Sequence, residues 1–215
     1  MNSFSLTDSS KNSIDHKLDK LFNNKTNGFY IELGANDGLT QSNTAFFAFY
    51  RNWKGVLIEP SPGAYDLCVK NRPESYHFNY ACVSPEYSNE YISGDFTGSL
   101  MASIDSKRLH SNISIQVKAS TLTKILDSIE PPITNIDLLS LDTEGYELLI
   151  LQGLNFDKYR PKYMLIEIYT QQYDSIVKFL QDKGYILHSN FSNYNKTTNP
   201  GWDGTHNDFL FMDNI

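Results

Sequence analysis

Phe29-Tyr-Ile-Glu-Leu-Gly-Ala-Asn-Asp-Gly38, followed by Val56-Leu-Ile-Glu-Pro60, is the part of this chain whose reading decides the fold. The first stretch predicts a short, mostly apolar strand at 29–33, a turn at Gly34–Gly38, and a helix from Ser42 to Tyr50. A near-continuous apolar run is the pattern of a parallel strand buried on both faces. Glycines in a strand-to-helix turn let backbone approach a ligand, and the helix N-terminus offers free N–H groups. Taken alone, Gly34-x-x-x-Gly38 fits an empty turn as well as a ligand cradle.

The neighbouring acids separate the possibilities. The dinucleotide fingerprint needs a middle glycine where backbone touches pyrophosphate, and this turn has Asn36 instead. Glu32 and Asp37 would also repel a pyrophosphate. A cofactor with a sulfonium and an amino-acid end suits the turn better: carboxylates accept from its ammonium, and the amides of Gly34, Ala35, Asn36 and Gly38 can take its carboxylate. Glu59 follows Gly38 by 21 residues, at the tip of the next strand, where a ribose diol is held. Pro60 cannot extend the strand's hydrogen bonding, so Glu59 stands where the chain leaves the sheet.

Working outward, residues 1–13 read as disordered or loosely attached. Ser13 is placed to cap a short helix bearing Ile14, Leu18, Leu21 and Phe22 on one face. Later strands are expected near His77–Val83, Ile136–Leu141, Met164–Ile168, Tyr185–His188 and Phe209–Met212. Helices are expected near Gly63–Lys70, Thr121–Ile129, Glu147–Gln152 (with Gly153 as its stop) and Gln171–Lys183. Residues 84–120 read as an excursion with a small antiparallel ribbon, and 190–207 as a polar loop. Strands alternating with helices imply a parallel sheet with right-handed crossovers. The division expected is an N-terminal extension with a short helix over 1–27 and a single domain over 28–215.

The chain resembles the FkbM family of methyltransferases. The resemblance rests on Gly28–Gly38, Gln41-Ser-Asn-Thr44, Val56–Pro60, Ala81-Cys-Val-Ser84, Thr121–Leu126, Ile136–Glu147 and Pro161–Ile168, in the family's order. Asp142-x-Glu144-Gly145 is the most specific of these. The resemblance implies a Rossmann-like class I methyltransferase fold, a mostly parallel seven-stranded sheet with helices on both faces and the last strand antiparallel. It also implies S-adenosylmethionine as methyl donor and, usually, transfer to oxygen on sugars or small metabolites. It places Glu32, Gly34, Asn36 and Gly38 at the methionine end, Glu59 at the ribose, and Ala81 and Cys82 beside the adenine. Asp95 reads as a turn residue that could also accept from the adenine amino group. Ser140 is a departure, since the family often carries Lys there.

In open parallel sheets, ligands bind beyond the carboxyl ends of the strands. Asp142, Glu144 and Glu167 stand there as candidate catalytic acids. Either one acts as general base on an acceptor hydroxyl, or the three hold a divalent ion through hard oxygen ligands. The plainer alternatives are that Glu144 caps the next helix, that Asp142 binds the cofactor's amino group, and that Glu167 is a satisfied structural acid. His206 and His188 have weaker claims as bases, against plain loop solvation for His206. Cys82 reads as a small packing residue.

A net charge of −7, with no basic run longer than Lys107-Arg108, makes nucleic acid an unlikely partner. A small-molecule or glycan acceptor fits better. Two cysteines cannot build a disulfide framework. No apolar run reaches membrane-spanning length and no export signal is legible, so the expected location is cytoplasmic. The competing readings are an RNA ribose 2'-O-methyltransferase, a non-catalytic interaction module on the same fold, and a nicotinamide oxidoreductase.

Overall fold

The computed structural model describes residues 1–97 and 114–214. Five strands of the main sheet run parallel or are reached by helical crossovers: β1 (Phe29–Leu33), β2 (Lys54–Ile58), β3 (Tyr76–Phe78), and, further along, Ile136–Leu141 and Pro161–Tyr169. Between them lie β4 (Ala81–Cys82), β5 (Tyr91–Gly94) and β6 (Ile115–Ser120), so the two later strands are β7 and β8. The chain ends with β9 (Tyr185–Asn190) and β10 (His206–Asp213). The main sheet has seven strands in the order β3-β2-β1-β7-β8-β10-β9, and β10 is antiparallel to both of its neighbours.

Alternation along the strands assigns each face. Tyr30, Leu57, Leu138, Leu165 and Leu210 pack on one side against α1 (Ile14–Leu21), α2 (Ala45–Arg51) and α3 (Pro62–Asn71), through Leu18, Phe46, Phe47 and Cys68. Ile31, Ile58, Leu139, Ile166 and Phe211 pack on the other against α4 (Leu122–Asp127), α5 (Glu147–Gln152) and α6 (Tyr173–Asp182). Successive side chains of a strand point to opposite faces. The acids at the strands' carboxyl ends therefore fall on a predictable side: Glu32 shares the face of Tyr30, and Glu167 that of Leu165.

Three expectations need correction. The strand expected over 77–83 is two strands: β3 belongs to the main sheet, while β4 pairs with β6 in a separate three-stranded sheet with β5. Between them Asn79 Nδ2 donates to the carbonyls of Glu59 and Pro60, at 2.8 and 2.9 Å, which pulls the chain off the sheet edge. Residues 1–13 are fixed to the domain. The buried Asp15 carboxylate accepts from Ser3 Oγ, Phe4 N and Ser5 N, Asp8 pairs with Lys17 at 2.9 Å, and Ser9 N donates to Ser192 O at 2.9 Å. Ser13 stands at the start of α1 without a side-chain cap bond. Gly153 ends α5 as expected, in a right-handed conformation with φ −81°. Its small size is needed because a Cβ there would meet Val83 O at 2.9 Å. Part of the 84–120 excursion, residues 98–113 with Lys107-Arg108, lies outside the described residues.

Candidate active site

A cleft of about 510 Å³ opens at the carboxyl ends of β1, β2, β7 and β8. That size suits a drug-sized ligand. One half is built around the first turn. Gly34 takes φ +77°, and a Cβ there would stand 1.9 Å from the Asp142 carbonyl oxygen, so this position needs glycine on two counts. Asn36 follows at φ +46° and donates its N–H to Glu59 Oε2 at 2.8 Å, while Ser61 N donates to Glu59 Oε1 at 2.8 Å. Burial still dominates over these two bonds and pushes the Glu59 carboxyl up to about 7. Gly34, Ala35, Asn36, Glu59, Pro60, Ala81 and Cys82 all line the cleft. The Cys82 thiol is raised to about 12 by burial, which suits a packing residue and not a nucleophile.

Three residues of the cradle do something other than expected. Glu32 borders the cleft, but its carboxylate already accepts from Ser42 Oγ (2.8 Å), Asn43 N (2.9 Å) and Thr44 Oγ1 (2.6 Å), with Arg72 at 3.9 Å. It anchors the entry to α2. Asp37 and Gly38 do not line the cleft. The Asp37 carboxylate accepts from Leu39 N and Thr40 N, closing the turn on itself, and Gly38 is packed against Arg72 and Cys68.

The other half is acidic. Carboxylate oxygens of Asp142, Glu144 and Glu167 lie within 4.8 Å of one another. Asp142 opens onto the cleft, but protein encloses it on its other sides. That enclosure, then Glu144, Asp208 and Glu147, raises its pKa well above the carboxylate range. Glu167 is raised too, by burial first and Asp142 second. Asp208, opposite Glu167 in register, is raised to about 6 by burial. Two unit charges 4.8 Å apart repel by about 3.5 kcal/mol at an effective dielectric of 20, so the cluster retains a proton near neutral pH.

Glu144 sits at φ +57° and its Oε2 accepts from Tyr169 OH at 2.6 Å. It is not the helix cap. Nor does any side chain among the described residues cap α5; the buried Glu147 Oε1 instead ties down the preceding turn, accepting from Thr143 N, Thr143 Oγ1 and Gly145 N at 2.9–3.1 Å. The residue the sequence undervalued is His206. It is the first residue of β10, it lines the cleft, and its Nε2 lies 3.3 Å from Glu167 Oε1. Because β10 runs antiparallel, its beginning reaches the end of the sheet where the parallel strands finish. His188, on β9, does not line the cleft.

The family model described as the methyltransferase FkbM domain matches residues 32–187, from the cradle acid through β7 and β8 into β9. The chain belongs to the FkbM methyltransferase family. It is an S-adenosylmethionine-dependent methyltransferase. No curated protein matches the sequence of this FkbM methyltransferase. Among solved structures, it is similar to Aeropyrum pernix fibrillarin with natively bound S-adenosyl-L-methionine: 12% identity, TM-score 0.51, covering 87% of this chain and 67% of that one. It is also similar to M. capricolum TrmK in complex with S-adenosyl-homocysteine, with 11% identity, TM-score 0.50, and coverage of 92% of this chain and 68% of that one. At these identities the likeness shows the class I methyltransferase fold. No helix among the described residues is long and apolar enough to cross a membrane.

Proposed function

We propose that this FkbM methyltransferase moves the methyl group of S-adenosylmethionine to a hydroxyl of a sugar or small metabolite by direct in-line displacement. The observation that carries the reading is the division of one cleft into a glycine-and-Glu59 half and a carboxylate half. Gly34, Ala35 and Asn36 would receive the methionine end, Glu59 and Pro60 the ribose, and Ala81 and Cys82 the adenine. The sulfonium then faces Asp142. As the O–CH3 bond forms and the S–CH3 bond breaks, the acceptor proton passes to Asp142, whose raised pKa suits a general base. Glu144 and Glu167 hold Asp142 in a protonatable setting.

We read the three acids as handling protons and not as holding a divalent ion. Glu144 already accepts from Tyr169, and Glu167 already faces His206. A hydroxylated small molecule is favoured over RNA because no Lys or Arg lines the cleft among the described residues, while five carboxylates do. A phosphate backbone would meet repulsion there.

Calorimetry with S-adenosylmethionine and S-adenosylhomocysteine, followed by a radiolabelled methyl-transfer screen over glycosides, hydroxylated metabolites and capped RNA, tests this. Transfer to a glycoside or metabolite, slowed at least about 100-fold in Asp142→Asn with cofactor affinity retained, is the expected result. Transfer to RNA alone, or an Asp142→Asn enzyme at full rate, would overturn it. Loss of turnover on adding a chelator would restore the metal reading.

A further inference from the structure

Methyl transfer to oxygen releases one proton per turnover, and a cofactor and acceptor bound as proposed would cover Asp142. Each proton that Asp142 takes up must leave before the next turnover. We propose that Glu167, His206 and Asp203 form a proton exit that carries the acceptor's proton from Asp142 to the surface. The inference rests on the hydroxyl-methylation reading above.

The steps are continuous in the structure. Carboxylate oxygens of Asp142 and Glu167 lie within 4.8 Å of each other. Glu167 Oε1 lies 3.3 Å from His206 Nε2. On the far side of the ring, Nδ1 lies 3.1 Å from Thr205 Oγ1 and 3.5 Å from Asp203 Oδ1. The Asp203 side chain is 47% exposed, against 17% for His206 and 11% for Glu167, so exposure rises along the path from cleft to solvent. His206 is held by its backbone and flanked by aromatic rings. Trp202 Nε1 donates to its carbonyl at 2.8 Å, and its ring lies 5.5 Å from that of Tyr169 and 6.4 Å from that of Tyr194. Asp208, two residues on, faces Glu167 across the strand pair, with Glu144 and Lys17 acting on the same cluster.

The bookkeeping of atoms balances. The acceptor O–H proton goes to Asp142 while the S–CH3 electron pair returns to sulfur. Asp142 passes a proton to Glu167, Glu167 to Nε2, and Nδ1 releases its own proton to Asp203 and then to water. A ring flip between turnovers restores the starting tautomer. Imidazole is suited to this step because it accepts on one nitrogen and donates from the other near neutral pH. Glu167 belongs to the stretch that matches the family model, whereas Asp203 and His206 lie beyond residue 187, so the exit is a feature of this chain's own C-terminal segment.

The test has two arms on the full chain. In the first, the protein carries 15N-histidine and the His206 ring is titrated by NMR, its signals assigned by their loss in His206→Gln. Asp203→Asn should lower the His206 midpoint by about half a pH unit or more, because it removes negative charge beside the ring, and Glu167→Gln and Asp142→Asn should each shift it by a similar amount, because each redistributes the proton and charge of the cluster the ring faces. A midpoint indifferent to Glu167→Gln and Asp142→Asn would overturn the proposal. In the second arm, single-turnover methyl transfer uses S-adenosylmethionine and the acceptor returned by the screen. His206→Gln should slow transfer about tenfold or more with cofactor affinity unchanged, and added imidazole should restore the rate. A wild-type rate, or a slowed rate that imidazole does not lift, would refute the exit. If His206→Gln fails to fold, Asp203→Asn takes its place. Failure to bind S-adenosylmethionine would count against the proposed function and leave the NMR arm to decide the connection.

Discussion

Acidification from pH 8 to 5.5 is expected to weaken cofactor binding through one residue, Glu59. Burial pushes its carboxyl up to about 7 in the free protein, against the two N–H bonds from Ser61 and Asn36 that pull it down. A ribose diol donates to the ionised form, so binding selects the carboxylate. The sign follows directly: affinity is complete above about pH 7 and is lost as pH falls through that value. With a free pKa near 7 and a bound pKa near the ordinary carboxylate range, affinity at pH 5.5 is lower by about 30-fold, or about 2 kcal/mol. Titration calorimetry with S-adenosylhomocysteine is the cleanest assay, because that ligand lacks the sulfonium and so reports less on the acid cluster. At pH 6.5, paired buffers of different ionisation enthalpy should reveal release of about 0.8 proton per ligand bound. Glu59→Gln should bind more weakly at pH 8 by about 1.5–3 kcal/mol and should lose this pH slope. Affinity that is flat from pH 5.5 to 8, or an unchanged slope in Glu59→Gln, would refute the ribose assignment.

Gly34→Ala places a Cβ 1.9 Å from the Asp142 carbonyl at φ +77°, so urea denaturation should show a loss of about 2–6 kcal/mol; an unchanged midpoint would contradict the packing described. Asp15→Ala removes the acceptor shared by Ser3, Phe4 and Ser5, costing about 1–3 kcal/mol, and limited proteolysis should then cut within residues 1–12 while cofactor affinity holds. Burial raises both Cys68 and Cys82 to about 12, so iodoacetamide at pH 8 should leave them unmodified until urea unfolds the chain.

The legible parts of the sequence were those where local chemistry and sheet position coincide. Gly34 and Glu59 read correctly as neighbours across a cleft because parallel strands bring their carboxyl ends together, and the Asp142-x-Glu144 segment follows for the same reason. The N-terminal segment misled because its Ser- and Asn-rich composition resembles a solvated tail. Its amides are gathered by the buried Asp15 and Asp8, and their partners in sequence carry no hydrophobic pattern. Composition alone cannot show which of Glu144 and Glu147 binds the amides of the turn before α5. The left-handed turn at Glu144 and Gly145 swings Glu144 toward Tyr169 and leaves the amides of Thr143 and Gly145 to Glu147. His206 read as loop because it stands in a polar run. One signal could have found it: an antiparallel last strand must start at the ligand end of the sheet, so the polar residues that open it, His206 and Asp208, fall beside the acids of β8.

The central claim is that the cofactor's sulfur faces the carboxylate half of the cleft. A crystal structure with S-adenosylhomocysteine tests it most directly. The account predicts ribose hydroxyls on Glu59, the sulfur directed toward Asp142, and open volume beyond it bounded by Glu167 and His206. Adenine lodged among Asp142, Glu144 and Glu167, or a sulfur turned toward Ala81 and Cys82, would contradict it.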